Sequence, residues 1–165
     1  MMVTARDVVL TQLGSSDYLL KKMTADLSDA EFFIPAAKGG NHAGWILGHI
    51  AVSEDSMVAG LIGKEKRFPK EHELFRGGAP CHEEASKYPS RVALVELFRS
   101  ARDNTVQALR QSDESKWTNP SPEGWPRDVF PTVASVWALI GTHPFWHIGQ
   151  LAMCRQMLGK KRVLE

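Results

Sequence analysis

The chain has 165 residues, 43% of them hydrophobic and 24% charged, with a formal net charge of +1. That length suits a single domain over residues 1–165 with a buried core, and the near-neutral charge argues against nucleic acid bound by neutralising many phosphates. No apolar run reaches the roughly 18 residues that cross a membrane, the N-terminus lacks a signal-peptide layout, and Cys81 and Cys154 show no CxxC spacing, so the expectation is a cytoplasmic protein with two reduced thiols.

Residues 4 to about 26 read as a first helix, because Val9, Leu13, Ser16, Leu20, Met23 and Leu27 repeat at the helical period. Ser28 and Glu31 have the spacing of a capping box, which starts a short second piece that ends at Pro35. Asn41 is a good N-cap for a helix over residues 42–63, with the stripe Ala43, Ile46, Ile50, Met57 and Leu61 and a stop at Gly63. His49 lies on the inner border of that stripe, about 60° from its centre. His42 is nearly in line with it but about 10 Å away along the axis, at the helix start, where it could reach the rim of a site.

Residues 64–89 form one long irregular loop between the second and third long helices, carrying Pro69, Pro80, Pro89 and Gly77-Gly78. Connections this long are uncommon in compact domains and are often lids or binding loops. Two readings stand: a solvated crossover, or a lid that contributes a substrate contact, with Arg76 among its basic candidates. Ser90 then caps a third long helix to about residue 112, with Leu94, Phe98, Ala101, Thr105 and Ala108 facing the core and Leu97 and Leu109 beside them. Residues 112–130 are again irregular, and their Trp117 and Trp125 suit packing over the end of a bundle.

The last helix runs from about Pro131, a first-turn proline, to Leu158 and stops at Gly159. Its inward stripe reads Val136, Ile140, His143, His147, Leu151, Cys154 and Leu158, all within about 40° of His147. Pro144 stands between the two histidines, where it removes a hydrogen bond to Ile140 and calls for a kink or a π-bulge. Four long amphipathic helices without strand alternation make an all-α four-helix bundle.

Two imidazoles one turn apart in an apolar stripe are hard to satisfy by hydrogen bonds alone. The spacing converges them on a point beside the helix, as two ligands of a metal would be. A third ligand must come from another helix. His49 is the strongest candidate, since His72 and His82 lie in the loop. Three histidines leave a coordination position open, the layout of a catalytic site. Gln150, one turn beyond and about 60° off the histidine face, is a candidate to support a ligand or to bridge helices. Glu54 is a weaker candidate for acid–base work, because five residues on a helix turn it away from His49.

The stretches Asn41-His-Ala-Gly-Trp-Ile-Leu-Gly-His49-Ile and Thr142-His-Pro-Phe-Trp-His147-Ile-Gly-Gln150-Leu, followed by Arg155 and Leu158-Gly159, resemble the DinB/YfiT-like superfamily. The resemblance covers nearly the whole chain in helix order and length. It implies a four-helix bundle holding a divalent nickel, zinc or iron ion through His49, His143 and His147, and a homodimer. His42 matches no ligand of that family. The superfamily's thiol S-transferases and the mycothiol-dependent isomerase further imply a metal that activates a thiol or water against a small-molecule substrate, with a low-molecular-weight thiol as cofactor. The resulting expectation is a metal-dependent enzyme of thiol-transferase or hydrolase type. The alternatives are a non-catalytic stress-response or binding protein with a structural or regulatory metal, and a histidine cluster that binds no metal.

Overall fold

Thr4 and Asp7 exchange hydrogen bonds as a capping box and start α1 (Ala5–Thr24), whose buried face is Val9, Leu13, Ser16, Leu20 and Met23. The computed structural model describes residues 3–163, and among them it is helical with no named strand. The second capping box forms as well: Ser28 N donates to Glu31 Oε2 at 2.8 Å and Glu31 N to Ser28 Oγ at 3.3 Å. It starts a 3-10 turn over Glu31–Phe33.

α2 (Ala43–Ile62) is the central helix, buried without a break from Ala43 to Val52. Helices that are apolar all round belong inside. Its N-cap is His42 rather than Asn41, with the imidazole Nδ1 accepting from Trp45 N at 3.0 Å. The helix ends at Gly63 in the left-handed conformation (φ 64°), which closes the last turn onto Ala59 O.

The 64–89 region is more ordered than its composition suggests. Asp55, buried on α2, accepts from Arg67 N (2.8 Å) and Phe68 N (3.3 Å) and so positions the start of a seven-residue helix, α3 (Pro69–Phe75). Pro69 takes its first turn. Phe75 is fully buried.

α4 (Arg91–Gln111) begins at Ser90, whose side chain accepts from Ala93 N. Leu94, Phe98, Ala101, Thr105 and Leu109 are buried, while Leu97 and Ala108 are only partly so. α5 (Val133–Met157) starts two residues later than Pro131. Thr132 is the cap, paired with Ser135, and the helix's first amides are satisfied from the preceding loop, Val133 N by Asn119 O and Ala134 N by Trp117 O. Pro144 is buried inside a run that stays α-helical from end to end, so no π-bulge forms.

Around the bundle the neighbours run α1, α5, α2, α4 and back to α1, with α2 packed most extensively on α4 and α1 on α5. Two apolar clusters fill the interior. One joins Leu20, Leu27, Phe32, Ile46, Ile50, Phe75, Leu94 and Leu151; the other joins Val9, Leu13, Val58, Leu109, Val136, Trp137 and Ile140. Trp117 closes the end of the second, stacked at 6.1 Å on Trp137.

Candidate metal centre

Because α2 and α5 are neighbours, the histidine on one meets the pair on the other. The ligand atoms of His49, His143 and His147 all lie within 4.8 Å of one another. Ring centroids are 4.6 Å apart for His143 and His147, 4.5 Å for His49 and His147, and 5.3 Å for His49 and His143. His49 is 7% exposed.

The hydrogen bonds around the rings decide which nitrogens face inward. His49 Nδ1 lies 2.7 Å from Phe75 O, an acceptor, so Nδ1 carries the proton and Nε2 keeps its lone pair. His147 Nδ1 lies 3.2 Å from Gln150 Oε1, which also accepts from Asn41 Nδ2 at 3.2 Å. That leaves His147 Nε2 as a lone pair, 3.1 Å from His143 Nε2. In a metal-free site His143 must donate from Nε2, and its Nδ1 then has nothing to bind. That atom is indeed buried with no hydrogen-bond partner.

Electrostatics agree with the geometry. His143 is pushed down to about 3, first by burial and then by the neighbouring His147 and His49. Burial is also the main cause of the lowered values of His49 and His147. All three rings are thus neutral at pH 7, the state a metal requires. An all-imidazole donor set, with two of the three far nitrogens already held by carbonyl oxygens, fits a divalent transition ion.

The other predicted residues separate into those the fold brings here and those it does not. Gln150 reaches His147 and ties it to Asn41 at the foot of α2. His42 is fully buried away from the ligand atoms, among Phe33 and Tyr88, with ring centroids at 5.2 and 4.8 Å. Burial holds it at about 4. Arg76 is exposed and pairs with Glu73 at 3.8 Å, one turn earlier on the surface. Glu54 is not available for acid–base work. It is completely buried in a two-pronged ion pair with Arg102, at 3.0 and 2.6 Å. The residues that sequence reasoning missed are Trp45, stacked on His49 at 4.8 Å with planes 7° apart, Ser53, 3.5 Å from His49 Nε2, and Phe75. Trp45 had a visible signal, since i to i+4 on a helix places it over His49. Phe75 acts through its backbone carbonyl and had none.

A family model described as the DinB superfamily matches residues 13–151, which include all three histidines. Among solved structures, the chain is similar to a conserved protein from Enterococcus faecalis, with a TM-score of 0.79 at 16% identity, covering 96% of this chain and 100% of that one. At that identity the likeness is one of fold. No curated protein matches the sequence.

Proposed function

Starting from the fact that the chain belongs to the DinB superfamily, we propose that it is a metal-dependent enzyme of thiol-transferase or hydrolase type, with His49, His143 and His147 holding a divalent nickel, zinc or iron ion. The observation that carries this reading is the convergence of three imidazoles from two helices, with ligand atoms all within 4.8 Å of one another. With the protons of His49 and His147 held on Nδ1, their Nε2 lone pairs are free to accept a cation.

When bound, the metal would supply Lewis acidity that lowers the pKa of a thiol or water at its open position. The chain's own residues have simpler tasks. Phe75 O and Gln150 Oε1 hold the protons of His49 and His147 on the outward nitrogens. Trp45 covers one face of His49 and keeps water off it. The substrate is a small molecule, a low-molecular-weight thiol the first candidate. A homodimer belongs to the same proposal, supported by Trp146, Met153 and Met157, which stand 64%, 61% and 68% exposed on α5.

Protein purified without a histidine tag and offered nickel, zinc and iron takes up one equivalent, read by elemental analysis. No uptake of any of the three ends the metal reading. His147→Ala then separates catalysis from structure: it abolishes uptake and thiol-conjugating activity while its folding stability stays that of the metal-loaded wild type. A structural metal would instead contribute folding free energy, and its loss would unfold the chain.

A further inference from the structure

Gly48 lies inside α2, where a glycine is less stable than alanine and needs a reason. Its φ is not positive, so conformational freedom is not that reason. A Cβ placed there would stand 2.6, 2.6 and 2.7 Å from three ring atoms of Phe75. The ring has little room to retreat: Phe75 is fully buried in the apolar core and stacked on Tyr88 at a centroid distance of 5.7 Å. The glycine is there to admit the phenyl ring.

The next residue along α2 is His49, and the same Phe75 whose ring fills the place of a Gly48 side chain puts its carbonyl 2.7 Å from His49 Nδ1. Resting on the three-histidine reading above, we infer that Gly48 and Phe75 are positioning residues: their close contact docks the end of α3 at the depth that holds His49 in its ligand orientation. On this view α3 is a fixed template for one ligand rather than a lid. Its other attachment, Asp55 to the amides of Arg67 and Phe68, comes from the same helix about two turns beyond Gly48. Both ends of the α3 segment are therefore registered on α2 around His49.

The test compares wild type, Gly48→Ala and the double variant Gly48→Ala/Phe75→Leu, each purified without a histidine tag. Imidazole nitrogen NMR on the metal-free protein reads the His49 tautomer, and a zinc titration reads affinity. Wild type shows His49 protonated on Nδ1 with that proton protected from exchange. Gly48→Ala loses the protection, exchanges faster over residues 69–76, and binds zinc about 10- to 100-fold more weakly. The double variant, with the colliding ring atoms gone and an apolar side chain kept, regains most of both. Unchanged His49 signals and zinc affinity in Gly48→Ala, or a double variant no better than the single one, would overturn the inference. Wild type that binds zinc with His49 protonated on Nε2 overturns this inference and leaves the metal reading standing. Wild type that takes up no zinc, nickel or iron overturns the metal reading and this inference with it. Should Gly48→Ala fail to fold, the wild-type tautomer and titration decide alone.

Discussion

Two polar clusters are buried in this bundle, both rooted on α2 and only five residues apart in sequence. At Glu54 every charge has its partner: Arg102 Nε and Nη2 reach the two carboxylate oxygens, and Nη1 reaches Leu13 O and Ser16 Oγ. Ser16 closes the network by donating to Leu13 O at 3.0 Å. At His49 the rings are neutral, two Nε2 atoms face one another, and His143 Nδ1 has no partner. One cluster pairs its charges within itself; the other gathers three neutral imidazoles from two helices on one point. Burial and polarity alone do not mark a functional site. Ligand-type nitrogens converging on one point do.

The largest effect that tests this contrast is at the Glu54 cluster. Arg102→Met leaves the Glu54 carboxylate buried without its cation, and breaking one side of such a pair costs about 3–5 kcal/mol. Urea denaturation should show that loss, while the folded fraction still takes up metal. Replacing both partners, Glu54→Leu with Arg102→Met, should recover most of the stability, because an apolar pair of similar volume has no charge to desolvate. A stable Arg102→Met single variant would erase the distinction between the clusters.

How much of this could be read beforehand differs by element. The helical period places His143 and His147 on one face and His49 on the inner border of its own helix, which suffices for the triad once α2 and α5 are neighbours. Glu54 was readable as pointing away from His49, but not as an ion pair, because its partner is set by how α4 packs on α2. Arg102 sits beside Ala101 on the stripe that also carries Phe98 and Thr105, yet a lone arginine at the edge of an apolar face reads as solvent-facing. The cap of α2 fell on His42 rather than Asn41, since an imidazole Nδ1 can accept the same amide hydrogen bond as a carboxamide. The start of α5 slid from Pro131 to Thr132–Ser135 because the capping box there satisfies more amides than a first-turn proline does. α3 is short enough that only its tertiary anchors, Asp55 and the buried Phe75, stabilise it.

An intermediate effect follows from pH. His42 titrates at about 4 in the folded chain, with burial as the cause, against about 6.5 when unfolded. Between these values the unfolded chain binds a proton that the folded chain refuses. Stability therefore falls as pH drops from about 6.5 towards 4, by up to about 1.4 kcal/mol per unit, and this group adds no slope above that window. His143, at about 3, adds to the slope in metal-free protein. His42→Asn keeps a capping side chain and should flatten the acid limb measured by urea midpoints between pH 7 and 4.5. An unchanged acid limb would mean that His42 is not held neutral in the folded chain.

The smallest effect on stability tests the histidine cluster most directly. Gln150 is exposed, so Gln150→Ala should shift folding stability by no more than about 0.5 kcal/mol. Its Oε1 nevertheless holds the Nδ1 proton of His147 and the amide of Asn41. Without that acceptor His147 can move its proton to Nε2, the nitrogen that faces His143, and the ring is no longer tied to the start of α2. Zinc affinity should fall about 10- to 100-fold. Gln150→Glu keeps an acceptor oxygen at the same reach and should restore binding, which a general loss of packing would not allow. Arg102→Met and Gln150→Ala then form a crossed pair: one loses stability and keeps metal, the other keeps stability and loses metal. If Gln150→Ala binds zinc as wild type does, Gln150 serves only as a bridge between helices and the His147 tautomer is set elsewhere.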